Sequence, residues 1–100
     1  MNKINIRNYM KYGKIQMLYR DYKWSNPEDH DNPYLKKGID NAELNRLEGY
    51  EVLFFINQLA PKYWQANIPT CQKIEGMLRN SVPLYIKNRK RIENWIINNW

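Results

Sequence analysis

Beyond residue 40, the apolar positions of this chain recur at spacings of three and four. Leu47, Tyr50, Leu53 and Phe54 fall on one helical face, and Val52 and Phe55 widen it until the segment is apolar nearly all round. This spacing predicts a helix over about 40–60 at the centre of a core. Asp40 is placed to cap it, with Glu43 completing a capping-box variant and Ile39 and Leu44 forming a hydrophobic staple. Pro61 disfavours helical geometry at Ala60 and sets the expected end.

A second helix is expected over about 70–80, with Cys71, Ile74, Met77 and Leu78 on one face. Pro83 forces Val82 extended and suits the first turn of a third helix, over about 84–99. Wound at about 100° per residue, that segment puts Tyr85, Ile92, Trp95 and Ile96 on one side. Lys87, Lys90, Arg91, Asn94 and Asn98 fall on the other. The fold expected is therefore mainly α, a small helical bundle forming a single domain over residues 1–100.

The N-terminal part is ambiguous in its period. Tyr9, Tyr12, Ile15, Tyr19 and Tyr22 recur at helical spacing, whereas Ile15, Met17 and Tyr19 alternate and Gly13 weakens a continuous helix. A helix is the expectation for residues 2–24, with a strand or a helix broken at Gly13 as the alternative. Residues 25–38 read as a long loop, since Pro27, Pro33 and a cluster of Asn and Asp exclude regular structure.

Charge changes this picture by dividing the chain in three. Residues 1–24 carry six cations against one carboxylate, and residues 61–100 carry seven against two. The segment between them is acidic, and the whole chain has a net charge of +6. Basic ends that folded onto one side would create a positive face suited to phosphate or to an acidic protein surface.

Within the basic ends, Asn88 and Arg91 are candidates for reaching nucleic-acid bases, and Lys87, Lys90 and Arg79 for gripping phosphates. The last two helices, joined by Ser81-Val82-Pro83, have the outline of a helix-turn-helix without its usual glycine. Lys11 and Lys14 alternate with tyrosines in the N-terminal segment, the combination that stacks unpaired bases while holding their backbone. Trp100 is either a lid on the core or an exposed anchor for a partner.

Catalytic chemistry finds little support. Glu28-Asp29-His30-Asp31 are consecutive residues of a loop with no second His or Cys cluster to complete a metal shell. Cys71 lies on an apolar helical face, and no Gly-rich phosphate loop or nucleophile elbow occurs. No cofactor, metal or enzymatic activity is expected.

One cysteine excludes an internal disulfide, so a reducing, cytoplasmic setting is expected. The apolar runs are too short to span a bilayer, and no membrane partner is expected. Asn, Lys, Ile and Tyr come from A/T-rich codons, a composition that suits a microbial, phage or mobile-element gene.

Two functions are left. The first is a basic protein that binds DNA or RNA. The second is a stoichiometric inhibitor or adaptor that engages an acidic protein surface, with Trp64, Trp95 or Trp100 as anchors. Either is compatible with a homo-oligomer.

Overall fold

A computed structural model describes residues 12–24 and 43–100. The described residues are mainly helical and contain no strand. Three helices follow one another: α1 (Gly49–Tyr63), α2 (Ile68–Asn80) and α3 (Arg89–Asn98). The C-terminal bundle read from the hydrophobic period is present. Its helix limits differ from those expected at three points.

Helix α1 begins at Gly49 rather than near residue 40. Glu48 caps it, its carboxylate accepting the Tyr50 N–H, while Asp40 and Ile39 lie outside the described residues. Residues 44–48 are drawn out of helical geometry by partners elsewhere in the fold. The Leu44 N–H donates to the Lys87 carbonyl at 2.8 Å, and the Arg46 side chain reaches the connector between α2 and α3. The start is also fixed from the other side. Lys23 and Glu48 form an isolated parallel bridge, Lys23 N–H donating to Leu47 C=O and Gly49 N–H to Lys23 C=O, each at 2.7 Å.

The buried face of α1 is Val52, Phe55, Ile56, Leu59 and Ala60, rotated from the expected Leu47, Tyr50, Leu53 and Phe54. A segment apolar nearly all round leaves that rotation to the neighbours, and Leu47 ends up exposed ahead of the helix. Pro61 does not end α1. It sits in the last turn, where its missing N–H removes one rung, and the helix closes with Trp64 N–H on Ala60 C=O.

Helix α2 is close to expectation. Asn67 caps it, accepting the Thr70 N–H at 2.9 Å, and Pro69 occupies the first turn. Cys71, Ile74 and Leu78 are buried against α1, and Met77 is partly buried. Glu75 lies on the same face, fully buried, where periodicity gave no place to a charge.

Helix α3 starts at Arg89, five residues later than read from Pro83. Asn88 is the cap, accepting the Arg91 N–H at 3.1 Å. Ile92 and Ile96 are buried as expected and Trp95 is partly buried. Tyr85 is a correction: assigned to the apolar face, it lies outside the helix and is 80% exposed.

Residues 12–24 are not an α-helix. They run extended around one short turn of 3-10 helix, Lys14–Gln16, and cross α2. Tyr12, Met17 and Tyr22 reach the core, whereas Ile15 points outward. The long loop read over 25–38 and residues 2–11 lie outside the described residues.

Two side chains hold this segment. Asn57 imitates a strand neighbour: its Oδ1 accepts the Tyr12 N–H at 2.8 Å and its Nδ2 donates to the Tyr12 C=O at 2.9 Å. Glu75 supplies the second hold. Its Oε1 accepts from Tyr12 Oη and Leu18 N–H, and its Oε2 from Tyr22 Oη and Tyr19 N–H, at 2.7–3.3 Å. Four donors on one carboxylate compensate the cost of burying it.

Candidate polyanion-binding surface

The connector over residues 81–88 carries two of the candidate residues, Lys87 and Asn88, and leads directly to Lys90 and Arg91 in α3. It is longer than the roughly three- to four-residue turn of a helix-turn-helix, so α2 and α3 do not form that motif. Its shape comes from one arginine. The Arg46 Nη1 donates to the carbonyls of Leu78 and Val82, and Nη2 to those of Pro83 and Ile86, at 2.6–3.1 Å. The guanidinium thus closes the C-terminal end of α2 and pins the chain that follows it. Burial lowers the Arg46 pKa from its ordinary value.

Within the connector, Ile86 N–H donates to Pro83 C=O at 3.1 Å, closing a turn with Leu84 and Tyr85 at its corner. Such corners are ordinarily filled by Gly, Asn, Asp or Pro. Here they hold two large apolar residues, 75% and 80% exposed.

The cations stand immediately after this corner. The Lys87 Nζ donates to the Leu84 carbonyl at 3.5 Å, which places the ammonium beside the Leu84–Tyr85 peptide. Lys90 and Arg91 lie exposed in the first turn of α3. Lys90 is 3.7 Å from Glu93, whose carboxylate also accepts from Lys62 and from the Tyr63 hydroxyl. Arg91 forms no ion pair among the described residues. The Asn88 side chain is taken by its cap. Arg89, the second of the four cations over residues 87–91, is buried and pairs with Glu51 at 3.0 Å.

The remaining candidates are engaged elsewhere. Arg79 makes two hydrogen bonds to Asp21, at 2.7 and 3.2 Å, and lies 4.1 Å over the Tyr19 ring. Its bond holds the Asp21 carboxyl below the ordinary value, and Asp21 in turn raises the Arg79 pKa. Lys14 sits 4.4 Å over the Trp24 ring, and Trp24 meets Tyr50 edge-on. Lys11 lies outside the described residues.

Trp100 is 36% exposed and covers Trp64, which packs against the core. Trp64 stacks on it at 3.9 Å, and Lys73 lies 4.1 Å over the ring while donating to the Trp100 carbonyl. Two groups that close cannot share one side, so both faces of the indole are occupied.

Burial pushes the Cys71 thiol up to about 11, away from the range of a reactive thiolate. Among the described residues no three His, Cys, Asp or Glu side chains gather as metal ligands, and no helix is long and apolar enough to cross a membrane.

Leu84, Tyr85 and Arg46 were missed by sequence reasoning. The signal for the first two was Asn88, a strong cap residue that competes with Pro83 for the start of α3. No local signal marked Arg46, because its acceptors are main-chain carbonyls 32–40 residues away. Comparisons with protein families, with curated proteins and with solved structures gave no match.

Proposed function

We propose that this protein binds nucleic acid, without catalysis, through the N-terminal end of α3. The observation that carries this reading is the grouping of Lys87, Lys90 and Arg91, all exposed, around a helix start whose macrodipole adds a positive partial charge. Arg46 holds the backbone that leads into them, at Pro83 and Ile86, so little backbone entropy is lost there on binding. Glu93 reduces the field at Lys90 but is itself buried, and Arg91 is unopposed among the described residues.

The alternative is a stoichiometric inhibitor or adaptor that engages an acidic protein surface with the same cations. Of its anchors, Trp64 and Trp100 are stacked on each other and Trp95 is partly buried, which favours the nucleic-acid reading.

The test is a titration against DNA and RNA at several salt concentrations. Affinity falls steeply with salt, and Lys87→Glu/Lys90→Glu/Arg91→Glu flattens the log–log slope by about 2–3 as phosphate contacts are lost. Absence of binding by the native protein at low salt overturns the reading.

A further inference from the structure

We infer that Tyr85 is a stacking platform for an unpaired nucleobase, which makes single-stranded nucleic acid the preferred ligand. The inference rests on the reading of the α3 end as a nucleic-acid surface and adds the class of strand it takes. Three observations carry it.

Among the described residues, no packing or bonding contact employs Tyr85. It is 80% exposed and makes no hydrogen bond or ring contact among the described residues. Among the described residues the other exposed aromatic rings, Trp100 and Tyr63, are engaged, as is the half-buried Tyr19. Trp100 has a partner on both faces, Tyr63 donates to Glu93 and lies under Lys62, and the Tyr19 ring is covered by Arg79. With Leu84 beside it, 75% exposed, the ring forms an apolar corner open to solvent.

The ring is carried on a pinned backbone. The turn is closed by its own hydrogen bond, and Arg46 holds the carbonyls of Pro83 and Ile86 on either side of the Leu84–Tyr85 corner. A partner therefore meets a platform whose main chain is already in place.

The surroundings select the occupant. Lys87 lies against the Leu84–Tyr85 peptide, and Lys90 and Arg91 follow within one helical turn. An aromatic ring beside cations fits a base whose phosphates the cations hold, and the stacking face is common to all bases. In a duplex those faces are already stacked and hidden, so the ring gains nothing there.

The experiment measures fluorescence anisotropy of short labelled single-stranded DNA, single-stranded RNA and the corresponding duplex, at low and moderate salt. The proteins are the native chain, Tyr85→Ala, Tyr85→Phe and the triple charge reversal, each checked for unchanged thermal unfolding. Single strands bind the native chain more tightly than duplex. Tyr85→Ala loses about tenfold on single strands and nothing on duplex, and Tyr85→Phe keeps native affinity.

Equal binding of single strands by Tyr85→Ala and the native chain overturns the stacking role. If the triple variant still fails to bind in that case, the cationic surface survives without it. No binding of any nucleic acid by the native chain overturns both. Capture of one protein partner by the native chain but not by Tyr85→Ala, in the absence of nucleic-acid binding, assigns the corner to a protein instead.

Discussion

The Tyr12 hydroxyl donates to Glu75 at 2.7 Å across 63 residues of chain, and both side chains are buried. This bond and its three companions fasten an extended segment to α2 through a single carboxylate. Glu75→Gln keeps the shape but turns one acceptor oxygen into a donor facing two donors. A destabilisation of about 3 kcal/mol is expected, measured as a lower urea midpoint. Tyr12→Phe costs about 1.5 kcal/mol, and the double variant costs less than the sum because the two changes remove one shared bond.

Alkaline pH tests the same cluster. Burial first, and the Glu75 bond second, raise the Tyr12 and Tyr22 phenols above their ordinary 10.0, and burial raises Cys71 from 9.0 to about 11. In the unfolded chain these groups lose protons that the folded chain retains, so stability is full below pH 9 and falls as pH rises. The slope reaches at most about 1.4 kcal/mol per pH unit for each such group. Urea unfolding between pH 8 and pH 12 shows the decline, and Cys71→Ala removes its earliest part.

At acid pH the Asp21–Arg79 pair has the opposite sign. The hydrogen bond from Arg79 lowers the Asp21 pKa below its ordinary 3.8. Its contribution is present above that value and is lost as pH falls through the lowered one. Titration of the Asp21 carboxyl by NMR gives a lowered value in the native chain, and Arg79→Gln restores it toward normal.

Gly49→Ala sets helix propensity against packing. Alanine at an exposed helical position gains up to about 1 kcal/mol over glycine. Here the new Cβ would lie 2.5 Å from the Trp24 ring, which Tyr22, Tyr50 and Lys14 surround. Displacing an indole costs about 1–3 kcal/mol, so the variant is less stable than the native chain. A shift of the tryptophan near-ultraviolet circular dichroism accompanies the loss.

Trp100→Ala separates structure from binding. It uncovers Trp64 and removes the ring beneath Lys73, while the Lys73 bond to the residue-100 carbonyl is kept, and a loss of about 1 kcal/mol is expected in thermal unfolding. Nucleic-acid affinity is unchanged, since the surface at α3 does not use it.

The helical period made the bundle legible because α2 and α3 bury one stripe each: Cys71, Ile74 and Leu78, then Ile92 and Ile96. Helix starts were less legible. Asp40 and Glu48, like Pro83 and Asn88, are competing cap signals, and the choice is made by Trp24 against Gly49 and by Arg46 against the connector. The N-terminal tyrosines misled for a related reason. Tyr12 and Tyr22 share one carboxylate on another helix, so their spacing reflects reach to Glu75 and not a helical face. At the candidate surface, Lys87, Lys90 and Arg91 were readable as an exposed basic stripe. Tyr85 was not, because an apolar residue in a segment of helical period reads as core.

Arg46 grips the connector entirely by carbonyl oxygens, a group that every amino acid carries. The hold is therefore indifferent to which side chains stand at positions 84 and 85. Those positions can be exchanged for other residue pairs while the backbone keeps its course, which makes this corner a graftable loop on a fixed frame.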